Sequence, residues 1–178
     1  VFGILTVASI VTLIIYSYVT RNHDINYGIK VKRLVAGYEA PIYIAWSAKN
    51  RSPLIRVPSA SGEGTRIEIR NPDPAANPYL AFAAVLAAGL DGIKRNLPPP
   101  ASVESNIFEM TKRELRENNI KALPENLSEA IDEFENDELL VNTIGEHISQ
   151  KYIEAKRLEW HEYITTVHEW EVNRYLVK

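Results

Sequence analysis

The chain has 178 residues, 46% of them apolar, with a net charge of −3; that suits one buried core with a helical appendage and excludes a disordered polypeptide. It has no cysteine, which excludes disulfides and thiolate metal sites and fits a reducing compartment. The charge is uneven: residues 30–70 hold eight Lys and Arg against Glu39, Glu63 and Glu68, giving +5 there and −8 elsewhere, a balance that favours a small anionic ligand over nucleic acid.

Val1 to Val19 carries no charge, and as a helix it would extend about 28 Å, close to the thickness of a bilayer core. It is also rich in β-branched residues, which suit buried strands. It lacks the basic start and the cleavage site of a signal peptide and does not begin with Met. The expectation is therefore a longer protein truncated here, or an altered reading of its upstream part, with a membrane anchor as the alternative. Residues 1–30, ending in the connector RNHDINYG, stand apart from a globular unit over 31–178.

Ala36 to Pro41 reads as a loop. Ile42 to Ser47 alternates, with Ile42, Ile44 and Trp46 on one side, and predicts a strand. Lys49 to Pro53 breaks it. Leu54 to Val57 is a second strand bearing Arg56, and Ser59 to Gly64 turns into a third, Thr65 to Arg70. In that third strand Ile67 and Ile69 share one face and Arg66, Glu68 and Arg70 the other. The spacing predicts an antiparallel meander with its arginines on one face. Alternate residues sit about 6.5 Å apart, so two guanidinium forks and a hard carboxylate could hold neighbouring parts of one polyanion and its Mg²⁺. The same row also suits a solvated face with cross-strand ion pairs, and these six residues leave both readings open.

Pro72, Pro74 and Pro78 end the third strand. Asn77 is a predicted N-cap and Pro78 a first helical residue. Tyr79 to about Lys94 follows, uncharged through Leu90, and reads as a buried core helix in which Gly89 and Gly92 permit close packing. Asn96 to Asn106 reads as a proline-rich linker. Thr111 to Glu114 is a capping box. Leu127, Ala130, Ile131 and Phe134 recur with helical period, with Glu129 at the third helical position. A long charged helix is expected from about Gly145 to Val167, then a short one ending near Leu176. His147, His161 and His168 lack zinc spacing and read as structural or exposed, and His23 lies in the connector. There is no P-loop, dinucleotide fingerprint or Gly-x-Ser-x-Gly elbow.

Several stretches occur together in order: Lys32-Arg33-Leu34-Val35, Gly37-Tyr38-Glu39-Ala40-Pro41, Ser47-Ala48-Lys49-Asn50-Arg51-Ser52, Arg66-Ile67-Glu68-Ile69-Arg70 and Pro72 to Tyr79. With AGLDGIK at Ala88 to Lys94 and the tail from Gly145 to Glu171, they make Lys32 to Lys178 resemble the C-terminal half of a bacterial type I glutamine synthetase. The resemblance implies an α+β fold, with antiparallel strands of a partial catalytic barrel followed by a helical C-terminal region. It implies a cytoplasmic homo-oligomer of stacked hexameric rings that does not bind nucleic acid. In that family ATP phosphorylates the γ-carboxylate of glutamate, ammonia attacks the acyl phosphate, and Mg²⁺ or Mn²⁺ assists. By resemblance Glu68 is a metal ligand, Arg33 and Arg70 hold glutamate and its forming phosphate, and Arg51, Arg56 and Arg66 contact ATP. Glu39 matches the flap carboxylate that takes a proton from ammonium and, with Arg51, acts in catalysis.

The chain also departs from the pattern. Ala36 stands where the flap usually has Pro, Lys49 where Arg is usual, and Glu169 where the tail motif has Pro. Phe108 stands where some members carry a modifiable Tyr. The family's N-terminal domain and its other metal ligands have no counterpart here, so the chain alone is expected to be inactive. Competing readings are a non-catalytic module docking on full-length synthetase, an anion-binding domain anchored by residues 1–19, and a ligase using another amine.

Overall fold

The structure, a computed structural model, describes residues 41–58, 66–72 and 76–176. Among the described residues, five two-residue strands form two small sheets. In the first, β1 (Tyr43–Ile44) runs antiparallel to β5 (Lys121–Ala122). In the second, β3 (Ile55–Arg56) lies between β2 (Trp46–Ser47) and β4 (Glu68–Ile69). The mixed α+β class agrees with the sequence reading. The meander does not: β3 is antiparallel to β4 but parallel to β2. Its cause is the turn after Ser47, whose Oγ accepts from the backbone N–H of Lys49 and of Asn50 at 3.1 and 2.9 Å. The chain curls back, and Ile55 and Val57 then donate to the carbonyls of Ala45 and Ser47, restarting in the same direction.

The helices are α1 (Pro78–Lys94), α2 (Lys112–Glu117), α3 (Leu127–Glu135), α4 (Glu138–Ile144), α5 (Glu146–Thr165) and the single turn α6 (Glu169–Glu171). A π-helical turn, Val172–Leu176, ends the described chain, near the expected Leu176. Capping follows the sequence closely. The Asn77 side chain accepts from the N–H of Tyr79 and Leu80 at 3.0 and 3.3 Å. Thr111 and Glu114 close their box in both directions, and Asn126 accepts from Glu129. Gly145, at φ +95°, both ends α4 and starts α5 without a side-chain cap.

Three apolar clusters hold these pieces. Ile44, Leu54, Ile55, Ala88 and Leu123 join the sheets to α1. Ala84 joins α1 to Leu127, Ala130, Ile131, Phe134 and Leu140 of α3 and α4. Ala45, Ile107 and Ile120 make the third. Helix α1 thus bridges two clusters through its small residues.

Three expectations are corrected here. First, α1 is not buried all round: Ala84 and Ala88 are fully enclosed, whereas Tyr79, Phe82 and Leu86 are 84%, 73% and 63% exposed. A Cβ built at Gly89 meets nothing within 4 Å, so of the two glycines only Gly92 lies in a buried position. Second, the proline-rich stretch is no free linker. Trp46 Nε1 donates to the Pro100 carbonyl at 2.8 Å, and Val103 N–H donates to the Trp46 carbonyl at 2.9 Å, fixing the stretch along β2. Third, Ile67 is 39% exposed while Ile69 packs on the first cluster, so only one of the two isoleucines of that strand enters the core. Among the described residues no helix is long and apolar enough to cross a membrane. Val1 to Val19 lies outside them.

Candidate functional site

Arg56 on β3 and Glu68 on β4 are register partners, so strand pairing itself sets a guanidinium beside a carboxylate. Arg56 Nη1 lies 3.1 Å from Glu68 Oε2. Arg66, two residues before Glu68, reaches Oε1 with Nε and Nη2 at 3.0 and 2.8 Å. Both oxygens of Glu68 therefore accept charge-assisted hydrogen bonds. Those of Arg66, more than the opposing effect of burial, hold the Glu68 carboxyl below its ordinary range, and Arg56 adds to the shift. Two cations around one anion leave one positive charge, and Arg56 Nε is a buried donor without an acceptor among the described residues. The cluster is partly exposed and carries a net positive charge, which attracts an anion.

Arg70 shares the strand face with Glu68 but is directed elsewhere. Its Nη1 donates to the carbonyls of Arg51 and Pro53, the latter at 3.3 Å, and so fastens the loop between β2 and β3. The Arg51 side chain on that loop is exposed. Of the residues singled out from the sequence, the structure brings Arg56, Arg66 and Glu68 together and sets Arg70 against the Arg51 backbone. Arg33 and Glu39 lie outside the described residues.

The sequence reading missed Glu104. Its carboxylate accepts from Ser47 Oγ at 2.8 Å and from Ala48 N–H at 3.3 Å, and Asn50 Nδ2 donates to the Ser105 carbonyl at 2.5 Å. The Ser47 hydroxyl holds the Glu104 carboxyl below its ordinary range, against an opposing effect of burial. These bonds fix the turn that presents Lys49 and Arg51. No short-range signal marks Glu104, because its partners lie 56 and 57 residues away.

A divalent metal does not fit the described residues by themselves. Among them no group of three or more His, Asp and Glu is placed to hold one. The one candidate ligand, Glu68, already has both oxygens engaged by arginines.

Comparison with known proteins extends these observations. The family profile described as glutamine synthetase, catalytic domain, matches residues 30–175. A glutamine synthetase of Clostridium saccharobutylicum is 56% identical over 147 residues, which is 83% of this chain and 33% of that protein. One from Thermotoga maritima is 54% identical over 145 residues, 82% of this chain and 33% of the other. One from Methanocaldococcus jannaschii is 55% identical over 146 residues, 82% and 32%. Among solved structures, GmaS in complex with ADP superposes with a TM-score of 0.70 at 30% identity, covering 95% of this chain and 39% of that one. GmaS without ligand gives 0.67 at 30% identity, covering 96% and 38%. The chain spans about a third of the length of the curated relatives it matches. On the profile match over residues 30–175, this chain belongs to the glutamine synthetase catalytic-domain family.

Proposed function

We propose that the chain is the phosphate-gripping portion of a glutamate–ammonia ligase, an enzyme that makes glutamine from glutamate, ATP and ammonia through a γ-glutamyl phosphate. The observation that carries this is the convergence of Arg56, on β3, and Arg66, just before β4, on Glu68. Guanidinium forks held in place before the ligand arrives suit phosphoryl transfer, which depends on positioning and charge stabilisation. That one structural relative holds ADP supports the same assignment. In this reading Arg51, Arg56 and Arg66 meet the nucleotide phosphates, and Arg33 and Arg70 meet glutamate. Glu39 closes over the acyl phosphate, excludes water and accepts a proton from ammonium. Glu68 would contribute one carboxylate to a Mg²⁺ or Mn²⁺ centre only when released from Arg56 and Arg66, with further ligands from the rest of the fold.

The reading carries a homo-oligomeric, cytoplasmic enzyme with residues 1–30 apart from the family unit. Because one carboxylate does not assemble the metal centre, the chain alone binds nucleotide without turning over. Calorimetric titration of the purified chain with ATP and Mg²⁺ tests the first half: saturable binding is expected, weakened tenfold or more by Arg56→Ala or Arg66→Ala. Absence of binding by the unaltered chain removes the phosphate-gripping role. Phosphate release in the presence of glutamate, ATP, ammonia and Mg²⁺ is expected to stay at background, and clear turnover contradicts the second half.

A further inference from the structure

The turn that follows β2 carries two exposed cations, Lys49 and Arg51, and among the described residues neither takes part in an ion pair. Glu104 lies beside this turn, yet both of its oxygens go to the frame of the turn. Oε2 accepts from Ser47 Oγ at 2.8 Å and Oε1 from Ala48 N–H at 3.3 Å. Both of those partners can only donate. The Ser47 oxygen already accepts from the N–H groups of Lys49 and Asn50, so its own proton is what it has left to offer, and an amide N–H has no acceptor capacity. A carboxylate, with an acceptor on each oxygen, satisfies the two together, whereas a carboxamide sets an N–H group against one of them.

We propose, building on the assignment of Arg51 to the nucleotide phosphates, that Glu104 is a positioning residue for nucleotide binding: it fixes the turn so that Arg51 meets the phosphates already in place. Glu104 does not touch the nucleotide and acts through Arg51. Its own backbone is held on either side, because Val103 N–H donates to the Trp46 carbonyl at 2.9 Å and the Ser105 carbonyl accepts from Asn50 Nδ2 at 2.5 Å. The far end of the turn is secured separately by Arg70, which donates to the carbonyls of Arg51 and Pro53. The turn is thus gripped at both ends through its backbone. On a loosened turn the Arg51 guanidinium has to be ordered at the moment of binding, and that ordering lowers the affinity.

Calorimetric titration of the full chain with ATP and Mg²⁺, run as a double-mutant cycle of Glu104→Gln with Arg51→Ala, tests this. Glu104→Gln is expected to weaken binding about fivefold or more when Arg51 is present, and by less than about twofold once Arg51 is replaced. A merely structural role weakens both backgrounds alike. Amide hydrogen exchange should quicken at Lys49 and Asn50 in Glu104→Gln and stay unchanged in α3 and α4. If Glu104→Gln loses its melting transition, Asn50→Ala, which cuts the neighbouring bond to Ser105, takes its place under the same criteria. Three results overturn the proposal and leave the ligase reading standing: equal affinity of the unaltered and Glu104→Gln chains, an equal loss in the Arg51→Ala background, or unchanged exchange at Lys49 and Asn50. Absence of binding by the unaltered chain overturns both.

Discussion

Glu104 accepts a 2.8 Å hydrogen bond from the Ser47 hydroxyl across 57 residues of sequence. That oxygen in turn accepts from the N–H groups of Lys49 and Asn50, so one fully buried hydroxyl connects the proline-rich strap of residues 96–106, strand β2 and the turn that follows it. Ser47→Ala leaves those backbone donors unmatched and is expected to lower stability by about 1–3 kcal/mol in urea unfolding. Glu104→Gln keeps an acceptor and should lie between the unaltered chain and Ser47→Ala.

The ion-paired Glu68 makes a pH signature. Its folded-state pKa is depressed by Arg66 and Arg56, so its contribution is present above the ordinary carboxyl range and is lost as pH falls through the depressed value. Thermal melts of the unaltered chain and of Glu68→Gln should therefore differ near neutral pH and converge under acid. Added salt should narrow the neutral-pH difference, because the pairs are partly exposed.

Asp137 behaves in the opposite sense. It caps α4 by accepting from Leu140 N–H at 3.0 Å, yet burial pushes its carboxyl above the ordinary range. The folded state then holds the proton more tightly than the unfolded state, so ionisation near neutral pH works against folding and acidification relieves it. Asn caps comparably without a charge. Asp137→Asn should match or exceed the unaltered chain in stability at neutral pH, with the advantage closing as pH falls. Asp137→Ala should lose about 1 kcal/mol with the cap.

Phe134 is 2% exposed and meets Tyr152 edge-on at 6.2 Å between centroids, one of the contacts that tie α3 to α5 beside the ion pairs of Arg157 with Asp132 and Glu135. Phe134→Ala is expected to cost about 3–5 kcal/mol, read as a lower denaturant midpoint with an unchanged slope.

What the sequence revealed and what it hid divide along physical range. Caps depend on residues two to four apart, so Asn77 and Thr111 with Glu114 were legible, as was the buried stripe of α3. The period-two row of Arg66, Glu68 and Arg70 also predicted charges on one face. It could not show that Arg70 turns to the carbonyls of Arg51 and Pro53 while Arg56 arrives from the neighbouring strand. Strand direction was misread because the Ser47 hydroxyl, and not Gly or Pro, bends the chain back. The apolar run of α1 fixed a helix but not which side is enclosed, since every face of it looks suited to a core. The pinned strap was hidden because Pro100, Val103 and Glu104 meet partners more than fifty residues away.

Gly145 makes the last fifth of the chain a lever. One residue with φ at +95° joins α4 to a 20-residue helix about 30 Å long. A tilt of about 10° at that joint displaces the far end by about 5 Å over the same length. The aim of the tail bearing Trp170 and Tyr175 thus depends on this joint together with the packing of α5 on α3, and a side chain at Gly145 would add backbone strain even though the space beside it is open.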